Sequence, residues 1–117
     1  MKYMLLVYAS EQEWTYPERA GCFQESTELA HELKAGGKLI STSPLQSVTT
    51  ATTVKVRDGR RLVTDGPFAE TREQLGGYFM INAKDLDEAI TVAGRIPAAR
   101  RGTVEIRPVL EIPGLPE

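Results

Sequence analysis

The chain has one cysteine, Cys22, and one histidine, His31, among its 117 residues. A lone cysteine excludes an intrachain disulfide and fits a reducing, cytoplasmic compartment. One cysteine and one histidine do not make a Cys/His metal cluster. No basic excess is present: 14 Lys and Arg stand against 16 Asp and Glu, a net charge of −2. That balance argues against nucleic-acid binding, which usually asks for a basic face. Arg60-Arg61 and Arg100-Arg101 read as basic ends of a strand and a helix, not as a patch. Phosphate loop, dinucleotide fingerprint, zinc spacing and nucleophile elbow are all missing, so no cofactor is expected. The apolar run Met1–Tyr8 has no small-residue cleavage site and is too short to cross a bilayer. It is expected to be a strand, and no membrane partner is expected.

The pattern that is present places two helices among several strands. Residues 2–9 are apolar or aromatic at nearly every position, the mark of a strand covered on both faces. Thr15 with Glu18 forms a capping box, with Pro17 in the first turn, so a helix is expected over 16–35. Its inward stripe reads Cys22, Phe23, Leu29, Ala30 and Leu33, and Gly36-Gly37 ends it. A short strand follows at 38–45. Residues 51–57 and 60–64 alternate around Asp58-Gly59, a type I′ hairpin signal. A further strand is expected over 77–83. Asp85 and Glu88 open a second helix with the inward stripe Leu86, Ala89, Ile90, Ala93 and Ile96, and Pro97 helps end it. The last strand, 103–110, carries Pro108 and so is expected to have an unpaired side. Residues 1–111 make one domain; 112–117 read as a tail without period.

With the hairpin set aside, the order is β-α-β-β-α-β, an α+β ferredoxin-like plan with an inserted hairpin. Both helices of such a plan lie on one sheet face. The other face is apolar here, through residues 2–9 and Tyr78-Phe79-Met80-Ile81. An exposed apolar sheet face is an association surface, and a two-fold homodimer is expected to cover it.

The segment Thr64-Asp65-Gly66-Pro67-Phe68-Ala69-Glu70-Thr71-Arg72-Glu73-Gln74-Leu75-Gly76-Gly77-Tyr78-Phe79 combines fixed backbone geometry with charge. It is the candidate site. Asp65 is either a turn cap or a pocket carboxylate acting as acid or base. Glu70 is the assisting carboxylate and Arg72 the anion holder. Phe68 is an anchor in the core or dimer seam, or a stacking surface for a ligand. Tyr78 is a third binding candidate, and Gly76-Gly77 allows a bulge. His31, on the helix between acids, has the one side chain poised near neutral pH. Cys22 reads as a small core residue, with Arg19 the one electropositive group near it in sequence. Trp14 and Tyr16 close a pocket mouth or make a dimer contact.

Met1-Lys2-Tyr3-Met4-Leu5-Leu6-Val7-Tyr8, the Asp65-Gly66-Pro67-Phe68 block with Gln74-Leu75-Gly76-Gly77, Asp85-Leu86-Asp87-Glu88-Ala89 and Ile96-Pro97-Ala98-Ala99 together resemble the DGPF-type branch of the YCII-related family. The likeness implies a ferredoxin-like subunit, a dimeric α/β barrel and a bacterial cytoplasmic setting. Members of the broader family are considered enzymes through a His-Asp pair in a pocket, and a few act on muconate-type ring-cleavage compounds. DGPF-type proteins often neighbour extracytoplasmic-function sigma factors. This chain departs from the broader pattern early in the first helix. It has Gly21-Cys22-Phe23-Gln24 where the pocket histidine falls, so only Asp65 carries over. Two functions follow: a cofactor-free acid–base enzyme for a small polar or acidic metabolite, or a non-catalytic dimer binding a ligand or protein, linked to transcriptional control.

Overall fold

A computed structural model describes residues 1–116. The elements run β1 (Lys2–Ala9), α1 (Tyr16–Ala35), β2 (Leu39–Pro44), β3 (Thr52–Arg57), β4 (Arg60–Asp65), β5 (Gln74–Asn82), α2 (Leu86–Arg95) and β6 (Thr103–Pro108). Short 3-10 turns lie at Val48–Thr50 and Pro97–Arg100. β2, β5, β1 and β6 form one sheet in that order, with antiparallel neighbours throughout. β3 and β4 pair only with each other. Without them the fold is the ferredoxin-like α+β plan.

Local chemistry explains the helix ends. Thr15 Oγ1 accepts from the Glu18 amide and the Glu18 carboxylate accepts from the Thr15 amide, closing the capping box. At the other end Gly37 takes φ 73°. There the Lys38 and Gly37 amides return to the carbonyls of Leu33 and Lys34, a Schellman ending that favours glycine. Asp85 caps α2 through the Glu88 amide at 2.9 Å.

The core lies between the helices and one sheet face. Leu5 pairs with Phe79 on one side and Ile106 on the other, and Tyr3 pairs with Ile81. Leu29 and Leu33 of α1 and Ala89, Val92 and Ala93 of α2 cover them, with Ile96 beside the helix end. Two expected helix stripes need correction. Phe23 is 53% exposed, and Leu86 and Ile90 are each 51% exposed. α2 meets the sheet through Ala89, Val92 and Ala93, whose small side chains allow close approach, and that rotation turns Leu86 and Ile90 outward. β5 begins at Gln74, earlier than expected, because Gln74 and Leu75 pair with Ala9 and Tyr8. β6 ends at Pro108, on the sheet edge where a missing N–H is tolerated.

The opposite face carries no helix. Alternation puts Met4, Leu6, Tyr8, Tyr78 and Met80 there, with Ser41, Ser43, Glu105 and Arg107 around them. The β3–β4 arm is more exposed still. Val54, Val56, Leu62 and Val63 are 48–61% open to solvent. Its turn is the expected I′ type, with Asp58 at φ 51° and Gly59 at φ 75°. The arm helps stretch the radius of gyration to 16.0 Å. A compact chain of this length has about 13 Å.

Candidate functional site

A cleft lies between the first half of α1 and the sheet. Two adjoining cavities form it, about 140 and 290 Å³ in volume. Val7, Cys22, Phe23, Gly76 and Ala98 border both. The cleft follows from a sheet irregularity. Val7 pairs with Gly77, but Tyr8 pairs with Leu75, so Gly76 is an extra residue. The bulge pushes the β5 main chain aside at the cleft wall, and the Gly76 carbonyl accepts from the Leu45 amide at 2.8 Å. A side chain on neighbouring Gly77 would meet the Ser43 carbonyl at 2.9 Å, so this close passage of β2 and β5 demands glycine.

The smaller cavity has the polar end. Glu11, Trp14, Arg19, Ser47 and Gln74 border it. Glu11 ties three segments together. Its carboxylate accepts from Ser47 Oγ at 2.7 Å and from the Val48 amide at 3.1 Å. Its own amide donates to Gln74 Oε1 at 3.0 Å. Gln74 Nε2 in turn donates to the Thr71 carbonyl at 2.6 Å, tethering the preceding loop. The Arg19 guanidinium donates to the Glu11 carbonyl at 2.5 Å. Trp14 is half-buried, with the Arg101 guanidinium 5.0 Å from its ring centre, a cation–π contact. Arg101 also pairs with Glu18 and so is held from two sides.

The larger cavity continues along α1 past Ser26, Thr27, Ala30 and His31. Thr27 Oγ1 is occupied by the Phe23 carbonyl and Thr42 Oγ1 by the Tyr78 carbonyl. Burial pushes the Cys22 thiol above its ordinary pKa, outweighing the hydrogen bond with Ser26, which acts the other way. A thiol raised in this way is a weak nucleophile at neutral pH. Among the described residues no three His, Cys, Asp or Glu side chains converge as a metal site. No helix there is long and apolar enough to cross a membrane.

The residues singled out in sequence divide between places. Tyr78 borders the larger cavity from β5, while its ring lies beside Leu6 on the helix-free face, its hydroxyl donating to Ser41 Oγ at 3.3 Å. Asp65 ends β4 and is exposed, as are Glu70 and Arg72. Phe68 is 82% exposed, which removes it from the core of the protomer. None of these four borders either cavity. Their loop instead closes the base of the arm. Gly66, at φ 106°, donates to the Ala51 carbonyl at 2.7 Å, and the Gly66 carbonyl accepts from Thr53 Oγ1 at 2.7 Å. His31 and Cys22 border the cleft, and so does Trp14, whereas Tyr16 is 85% exposed. Glu11 and Ser47 were not anticipated, and Gln74 was read only as part of the candidate segment and its motif. They lie in three distant, aperiodic polar stretches, and only the Glu11 hydrogen bonds reveal them as one group.

A four-stranded antiparallel sheet with two helices on one face defines a ferredoxin-like α+β fold, here with a cleft beneath α1. The YCII-related domain family matches residues 1–113. An uncharacterised protein of Rhizobium meliloti (strain 1021) is similar, 33% identical over 114 residues, 93% of this chain and 92% of that relative. The chain belongs to the YCII-related domain family.

Proposed function

We propose that the protein is a homodimer that binds a small organic molecule in the cleft beneath α1 of each protomer. The observation that carries this reading is the cleft itself. Two joined cavities have apolar walls from Val7, Cys22, Phe23, Leu45 and Ala98, and convergent polar groups gather at one end. A mostly apolar concavity with a few placed polar groups is the usual form of a small-molecule site. The dimer is supported by the helix-free face, where Met4, Leu6 and Met80 are only half-buried in the single chain. The arm exposes further apolar side chains, Val54, Val56 and Val63. A two-fold partner packed on the helix-free face buries Met4, Leu6 and Met80.

Acid–base catalysis by Asp65 and Glu70, with Arg72 and Phe68 binding the substrate, is a second reading. It is favoured by the Gln74 tether, which fixes the loop carrying these residues to the cleft wall. A metabolite-library thermal-shift screen separates the two readings. Wild type, Cys22→Phe and Asp65→Ala are compared. Cys22 borders both cavities, so a phenylalanine there fills the cleft. Ligands that stabilise wild type and Asp65→Ala but not Cys22→Phe uphold the binding reading. Turnover of such a ligand that stops in Asp65→Ala upholds the catalytic one. Stabilisation that persists in Cys22→Phe refutes the cleft.

A further inference from the structure

Resting on the cleft reading, we propose that the molecule bound there is a carboxylic acid with an apolar body, its carboxylate gripped by Arg19. Glu11 and Arg19 are the two charged side chains at the smaller cavity. Glu11 is already engaged, both carboxylate oxygens taken up by Ser47 and Val48. Arg19 is different. One N–H goes to the Glu11 carbonyl, and a guanidinium has five. Among the described residues Arg19 forms no ion pair, and it is the one arginine that borders the cleft.

The bond to the Glu11 carbonyl fixes the fork at the cavity wall. Arg19 is half-buried, and the apolar walls weaken solvent screening of its charge. A planar fork in such a place matches a carboxylate through two parallel hydrogen bonds. The fixed negative charge of Glu11 on the same wall disfavours a more highly charged anion. From Arg19 the lining passes through Val7, Cys22 and Phe23 into the larger cavity, which suits an apolar chain or ring. Ser26 and His31 stand at the far part for a polar end.

Trp14 borders the same cavity and is the single tryptophan of the chain, so its fluorescence reports occupancy. The test titrates phenylacetate, hexanoate and neutral phenylacetamide into full-length wild type, Arg19→Gln, Arg19→Lys and Cys22→Phe. Trp14 emission and calorimetry are the readouts, with far-UV circular dichroism confirming each fold. Wild type is expected to prefer phenylacetate over phenylacetamide by about tenfold or more, as a charge-assisted pair implies. Arg19→Gln is expected to abolish that preference without weakening the amide. Arg19→Lys, which keeps the charge but not the fork, is expected to fall between.

Equal binding of acid and amide to wild type, both lost in Cys22→Phe, overturns the carboxylate assignment and leaves the cleft standing. An acid preference that survives Arg19→Gln overturns the role of Arg19. Binding of neither probe overturns the assignment, and the library screen above then judges the cleft alone.

Discussion

The two faces of the sheet have nearly the same chemistry and opposite surroundings. Toward the helices lie Tyr3, Leu5, Phe79 and Ile81, all buried, with Leu5 and Ile81 fully closed to solvent. On the other side lie Met4, Leu6, Tyr78 and Met80, none of them fully buried. One apolar face has found its cover within the chain. The other has a rim of Ser41, Ser43, Glu105 and Arg107 and, in our proposal, finds its cover in a second copy. On that proposal β1 serves two interiors, only one of which a single protomer supplies. Tyr8 lies on this second face, beside Glu105. Burial raises its phenol pKa first, with the neighbouring Glu105 charge adding to the effect.

The largest effect that tests this contrast comes from neighbouring leucines. Leu5→Ala is expected to cost about 2–5 kcal/mol through lost burial and a residual cavity. That cost should not depend on protein concentration. Leu6→Ala should cost less, and its cost should change with concentration, because the proposed cover is a second molecule. Urea unfolding of both variants at two concentrations tenfold apart measures this. Equal, concentration-independent costs would erase the distinction between the faces.

A smaller effect sharpens the packing of the helix-covered side. A Cβ on Gly102 would fall 2.1 Å from the Tyr8 carbonyl, a main-chain clash. Gly102→Ala should destabilise by about 1–3 kcal/mol. Gly94, within α2, has nothing within 4 Å of the added atom. Gly94→Ala should instead stabilise by about 0.5–1 kcal/mol through helix propensity. Thermal unfolding of the pair checks both signs.

The smallest effect is at the outer surface. The hydrogen bond from Arg100 holds the Glu25 carboxyl below its usual pKa, the charge attraction adding to it. A lowered folded value means that the pair stabilises above the unfolded pKa of Glu25. The contribution fades as pH falls through the lower folded value. Arg100→Gln should raise the Glu25 pKa in an NMR titration and leave neutral-pH stability nearly unchanged, as for exposed pairs generally. For Cys22 the sign reverses. Its raised folded value makes the contribution complete below the ordinary thiol pKa and lost as pH rises through the folded one.

What the sequence made legible was local. Thr15 with Glu18, Asp58-Gly59 and Gly76-Gly77 each state a backbone requirement within a few residues, and each appears as a cap, a turn or a bulge. The strand order follows because the ferredoxin-like plan leaves few other routes for these elements. The cleft was less legible. Glu11, Arg19, Ser47 and Gln74 meet only after β1, α1, β2 and β5 have assembled, and no period connects them. The Asp65–Phe68 segment drew attention through its fixed geometry, and within the protomer that geometry serves the base of the arm. Helix stripes misled where small residues, Ala89 and Ala93, set the approach and larger neighbours turned outward.

Sedimentation equilibrium at micromolar concentration tests the two-interior account most directly. It predicts a particle twice the 12.9 kDa chain mass for wild type and a folded single chain for Leu6→Glu. A folded wild-type protein that sediments at 12.9 kDa across that range would contradict it.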